Sequence, residues 1–159
     1  MSQYYLNDVK RKFYDDALKL IRACPNDFWD LDNGIDKYID LINSNNDIRT
    51  MYSFKGNNKF GFGQMSYLIF CYTKSFEKQV LNVIIPKMKN EFGSMEYAEL
   101  NVYIEKPKLQ KKEKDVAPYL RFINHPDYWN INHIKIELMD GNSYEHENLW
   151  KVLTKSLTT

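Results

Sequence analysis

The sequence predicts an α+β fold: two N-terminal helices, then an antiparallel or mixed sheet of about five strands that carries a crossing helix and a C-terminal helix, in the order α-α-β-β-α-β-β-β-α. Three observations predict it. The segment 60–72 (FGFGQMSYLIFCY) is apolar on both faces. Phe76, Val80, Ile84, Met88 and Phe92 recur every four residues, and Ala98, Leu100, Val102 and Ile104 alternate. One chain length therefore changes from strand period to helix period and back. With 159 residues and no repeat, low-complexity tract or linker, the whole of 1–159 reads as one domain.

The first helix, about residues 4–24, follows from Leu6, Val9, Phe13, Ala17, Leu20, Ile21 and Cys24 at helical spacings. Pro25 ends it. The second, about 34–44, buries Ile35, Tyr38, Ile39 and Ile42 with Asp32 or Asn33 as N-cap, and the polar run 43–47 breaks it. Residues 51–54 and 60–72 flank Lys55-Gly-Asn-Asn-Lys59, whose composition suits a hairpin loop. Gly61 and Gly63 share a strand face, where a missing side chain marks a bulge or a close approach. Ser75 is placed to cap the crossing helix and Gly93 to end it, with a kink expected at Pro86. Strands at 97–104, 119–123 and 134–139 follow. Asn142 and Glu145 have capping-box spacing for a last helix that buries Leu149, Trp150, Leu153 and Leu157. Parallel pairing is open only to 60–72 and 97–104, which a helix connects.

A net charge of +1 gives the whole molecule no strong attraction to nucleic acid or anionic lipid. The charge is uneven, however, since residues 1–50 hold seven basic and nine acidic side chains, all nine of them Asp. The N-terminus lacks the apolar core of a signal peptide, and no segment approaches the ~20 apolar residues of a membrane span, so a cytoplasmic location is expected. Cys24 and Cys71 both read as reduced core thiols.

Three clusters are candidates for function. Asp27, Phe28, Trp29, Asp30, Asp32, Asp36 and Asp40 place five carboxylates around two large aromatics, a mixture suited to a basic protein partner. The ordinary alternative packs Phe28 and Trp29 under a helix turn and spends the Asp residues on the second helix's N-terminus. A calcium loop starting at Asp30 is excluded, because its glycine falls at Ile35 and its bidentate glutamate at Leu41.

The second cluster is the loop His125-Pro-Asp-Tyr-Trp-Asn-Ile-Asn-His133 with Glu137, an acid–base or metal set if the groups converge. His133, Lys135 and Glu137 alternate with Ile134, Ile136 and Leu138, which places them on one strand face, read as the solvated one. A metal-nuclease motif would need lysine where Met139 stands, and the acid-x-lysine triplet Asp8-Val-Lys10 falls on a helix. Third, 106–115 carries five lysines near Tyr103 and Tyr119, diluted by Glu113 and Asp115, and reads as a solvated loop. No Gly-x-Ser-x-Gly elbow is present.

The expected function is a small cytosolic binding or inhibitory protein that occludes a protein partner, possessing no catalytic residues, metal or cofactor. Its kind is that of toxin-neutralising immunity proteins and phage-encoded inhibitors, with a basic toxin or nuclease as partner; the comparison is of kind and rests on no shared motif. The alternatives are a phosphodiester-acting enzyme using His125, Asp127, His133 and Glu137, and a nucleic-acid-binding module.

Overall fold

The computed structural model describes residues 2–23, 35–55, 64–109 and 125–158. The fold is α+β. Helices α1 (Asp8–Ala23) and α2 (Asp36–Asn43) precede strands β1 (Ile48–Lys55) and β2 (Met65–Tyr72). A helical segment, α3, runs from Lys74 to Phe92, followed by β3 (Ala98–Glu105), β4 (His133–Asp140) and α4 (Ser143–Thr158). Among the described residues the order is thus α-α-β-β-α-β-β-α with a four-stranded antiparallel sheet, where the sequence predicts five strands. The strand expected at 119–123 lies outside the described residues, as do the Asp32 and Asn33 caps, Cys24, Gly61 and Gly63.

The sheet order is β1-β2-β4-β3. β2 and β3 point the same way because each pairs antiparallel with β4, which lies between them. The parallel pairing left open by the sequence is therefore absent; the helical crossover leaves room for a later strand to insert. β1 and β2 pair from Ile48 with Tyr72 to Lys55 with Ser66, and a bulge between Thr50 and Tyr52 leaves Met51 as the extra residue.

One face of the sheet, with Leu68, Phe70, Tyr72, Ile134, Ile136 and Leu138, packs on α2, α3 and α4 in the larger core. The other face is partly covered by a smaller cluster in which Tyr14 and Ala17 of α1 meet Met51, Cys71, Tyr128 and Ile131. α1 consequently buries Tyr14, Ala17 and Ile21, whereas Val9, expected in its apolar stripe, is 80% exposed. Tyr14 enters the core because its hydroxyl donates to the Tyr128 carbonyl at 2.6 Å.

In α3 the four-residue recurrence has a physical cost. An α-helix of 3.6 residues per turn rotates by about 40° at each such step and would carry Val80, Ile84, Met88 and Phe92 off a common face. The chain answers with a π-turn at Val80–Ile84, in which the Ile85 N–H donates to the Val80 carbonyl. That wider turn resets the phase, and all four side chains are buried. Pro86 follows it in the first turn of the α-helix Ile85–Phe92, where its missing N–H is cheapest. Ser75 makes no helix-capping bond; its hydroxyl lies 3.2 Å from that of Thr73.

The capping box of α4 forms as the spacing predicts. Glu145 N–H donates to Asn142 Oδ1 at 2.9 Å and Asn142 N–H to Glu145 Oε1 at 3.0 Å. The turn entering it is left-handed at Asp140 (φ 64°) and Gly141 (φ 83°). A Cβ on Gly141 would come within 2.9 Å of the Ala98 methyl, so glycine serves both conformation and space there.

Candidate functional site

The described part of the acidic cluster is structural in its contacts. Arg22 Nη1 lies 2.7 Å from Asp40 Oδ1, and Arg22 Nη2 lies 3.4 Å from Asp36 Oδ1. Both carboxylates thus tie α2 to the end of α1 while remaining more than half exposed. Asp27, Phe28, Trp29, Asp30 and Asp32 lie outside the described residues.

The loop from His125 to His133 does not form one cluster. His133 is 3% exposed, which corrects its placement on a solvated face. The smaller core covers that end of the sheet, a layer that strand alternation cannot reveal. Its Nδ1–H donates to the Ile131 carbonyl at 2.8 Å, and Trp129 packs 5.4 Å from its ring. Burial holds its pKa below the ordinary 6.5. Glu137, also buried, bonds Lys135 Nζ at 3.0 Å and accepts from Asn101 Nδ2 at 3.4 Å.

His125 turns instead toward α1. Its ring meets Phe13 edge-on at 5.2 Å and its Nδ1 accepts the Asp127 N–H at 3.1 Å. It borders a cleft of about 550 Å³ with Lys10, Phe13 and Asp127. The four residues proposed for phosphodiester chemistry are thereby divided, His125 and Asp127 at the cleft and His133 and Glu137 in the sheet. Among the described residues no group of three or more His, Cys, Asp or Glu side chains is arranged to hold a metal ion. Cys71 is fully buried, and burial pushes its thiol up to about 12.

A buried histidine missed by the sequence reading is His146. Its Nδ1 accepts from the Ser66 hydroxyl at 2.7 Å and its Nε2–H donates to the Asp140 carbonyl at 2.6 Å, while burial lowers its pKa. Its position on the core side of α4, one turn before Leu149 and Trp150, was the available signal. Neutral in the fold and titrating near 6.5 when unfolded, His133 and His146 both bind protons more readily in the unfolded chain. Stability is accordingly expected to fall as pH drops below 6.5 toward the lowered folded values, at up to about 1.4 kcal/mol per pH unit for each. Urea unfolding midpoints at pH 7.5 and 5.5 measure this. Equal midpoints would contradict the burial of both imidazoles.

The remaining feature is the part of the sheet's second face away from α1. Register places Phe54 beside Tyr67 across β1 and β2, and Lys135 beside Tyr103 across β4 and β3. Tyr67 stacks with Tyr52 at 5.8 Å and with Phe54 at 5.6 Å. Lys135 Nζ lies 4.8 Å from the Tyr67 ring centre and 5.8 Å from that of Tyr103. Phe54 is 38% and Tyr103 42% exposed. Lys135 pairs with Glu137 and Lys108 with Glu105, while Glu99 is exposed on the same face. Of these rings the sequence singles out only Tyr103, because four strands must be aligned before the set becomes neighbours. Of the lysine loop, Lys106 and Lys108 are exposed, and 110–114 lie outside the described residues.

No helix among the described residues is long and apolar enough to cross a membrane. Comparison with protein-family models, curated proteins and solved structures found no match.

Proposed function

We propose that this chain is a small cytoplasmic binding protein that occludes a basic protein partner, with the aromatic part of the sheet's second face as its contact surface. The observation that carries the reading is Lys135, whose ammonium is seated between Tyr67 and Tyr103 and neutralised by Glu137. The exposed ring of Tyr103 and the acid at Glu99 on the same face suit an incoming arginine, whose guanidinium stacks on tyrosine and pairs with carboxylate. Tyrosine and phenylalanine also provide contact area at small conformational cost. A nucleic acid is the poorer fit, since each cation named on this face has an acid beside it, and phosphate binding needs an uncompensated positive track. Asp36 and Asp40, more than half exposed on α2, offer acidic charge to the same class of partner at a separate position, since α2 packs on the other face of the sheet.

The test is retention of partners from native cell extract by the tagged protein and by a Tyr103→Ala, Glu99→Lys variant. The wild-type protein is expected to hold a basic protein that the variant, with an unchanged circular dichroism spectrum, binds at least about tenfold more weakly. Equal retention by the folded variant, or retention only of nucleic acid, would overturn the proposal.

A further inference from the structure

The cleft beside α1 has a chemistry distinct from the sheet face. Its walls are set by backbone bonds that pin the N-terminal segment, with Asn132 N–H donating to the Tyr4 carbonyl at 2.8 Å and Leu6 N–H to the Tyr72 carbonyl at 2.9 Å. α1 then starts at Asp8, with the Asn7 side chain accepting the Lys10 N–H at 2.9 Å. Opposite lies the 125–130 turn, closed by the Tyr128 N–H to His125 carbonyl bond. Tyr4 and Phe13 give the cleft aromatic surface, and Lys10, His125, Asp127 and Asn130 give it polar groups.

Those polar groups are of opposite sign. The Lys10 ammonium donates to the Gln3 carbonyl, which leaves further donors on an amine that has three. Both Lys10 and Asp127 line the cleft, and burial lowers the Lys10 pKa. Because His125 Nδ1 accepts a backbone N–H, the neutral ring carries its proton on Nε2. Asp127 keeps a carboxylate 70% exposed, 3.9 Å from His125 Nδ1.

We propose that this cleft binds a small zwitterion bearing an apolar ring, the chemistry of a free aromatic amino acid. Its carboxylate pairs with Lys10 and its ammonium with Asp127, while the ring lies against Phe13 and Tyr4. A purely anionic ligand meets Asp127, and a purely cationic one meets Lys10. The volume of about 550 Å³ falls in the range of small-molecule sites.

The experiment is an NMR titration of the full chain with L-phenylalanine, 3-phenylpropionate and phenethylamine. L-Phenylalanine is expected to saturate, shifting amides at Lys10, Phe13 and 125–130, with each analogue at least about tenfold weaker through loss of a charge-assisted bond. Asp127→Asn should abolish the preference for L-phenylalanine over 3-phenylpropionate, and Lys10→Met the preference over phenethylamine. The exposed Asp127 position keeps the first variant folded, so it and the ligand series decide even if Lys10→Met unfolds. No saturable binding, equal affinity for 3-phenylpropionate, or shifts confined to another surface would overturn the proposal.

Discussion

Ile84→Asp is expected to leave no folded protein. Ile84 is 1% exposed, closes the π-turn of α3 and packs in the larger core. A carboxylate there has either to stay charged in an apolar environment or to take up a proton, and either course costs several kcal/mol of the ~5–15 kcal/mol that holds a domain together. The loss of the isoleucine's packing adds a further ~2–4 kcal/mol. Size-exclusion chromatography and thermal melting decide the matter. A soluble variant with a cooperative transition would mean that α3 buries a different face.

Arg49→Met is expected to lower stability by about 3–5 kcal/mol, a drop in Tm of about 10 °C. The guanidinium is almost fully enclosed, with Nη1 donating to the carbonyls of Asn43, Asn45 and Ile48 at 3.0, 3.1 and 2.7 Å and Nε to Asp15 at 2.8 Å. One side chain thus joins α1, the end of α2 and the first residue of β1. The half-exposed Asp15 contributes little of the loss; most arises from carbonyls left without a donor. Arg49→Lys should recover only part of it, because an ammonium cannot reproduce the planar fork. A Tm within 2–3 °C of wild type for Arg49→Met, a shift worth only about 1 kcal/mol, would show that water replaces the guanidinium at those carbonyls.

The element types were legible because they rest on short-range patterns. Alternation in 97–104 and 134–139, the stripe of α2 and the Asn142–Glu145 box each lie within a few residues and survive in the structure. What the sequence hid depends on contacts made far along the chain. His133 alternates with isoleucines like any outward residue and is buried only because Trp129, Tyr128 and α1 form a second layer over its end of β4. Val9 sits at a helical spacing from Phe13 yet faces solvent, since the hydroxyl of Tyr14 finds an acceptor 114 residues away and turns the helix accordingly. The aromatic face is similarly hidden, being assembled from residues on four different strands that no sequence window contains.

The place of β4 in the sheet also governs how the protein comes into being. The strand that holds β2 to β3 is the last of the four to be synthesised, and β3 has no other neighbour among the described residues. Until His133–Asp140 leaves the ribosome, the β1–β2 hairpin and β3 cannot be joined, and each presents an unsatisfied strand edge together with the apolar side chains of an unfinished core. Long-range antiparallel pairing of this kind is slow and exposes the nascent chain to association with other chains. Completion of the sheet thus waits on that one strand, and over a hundred residues have to be kept from aggregating before it arrives.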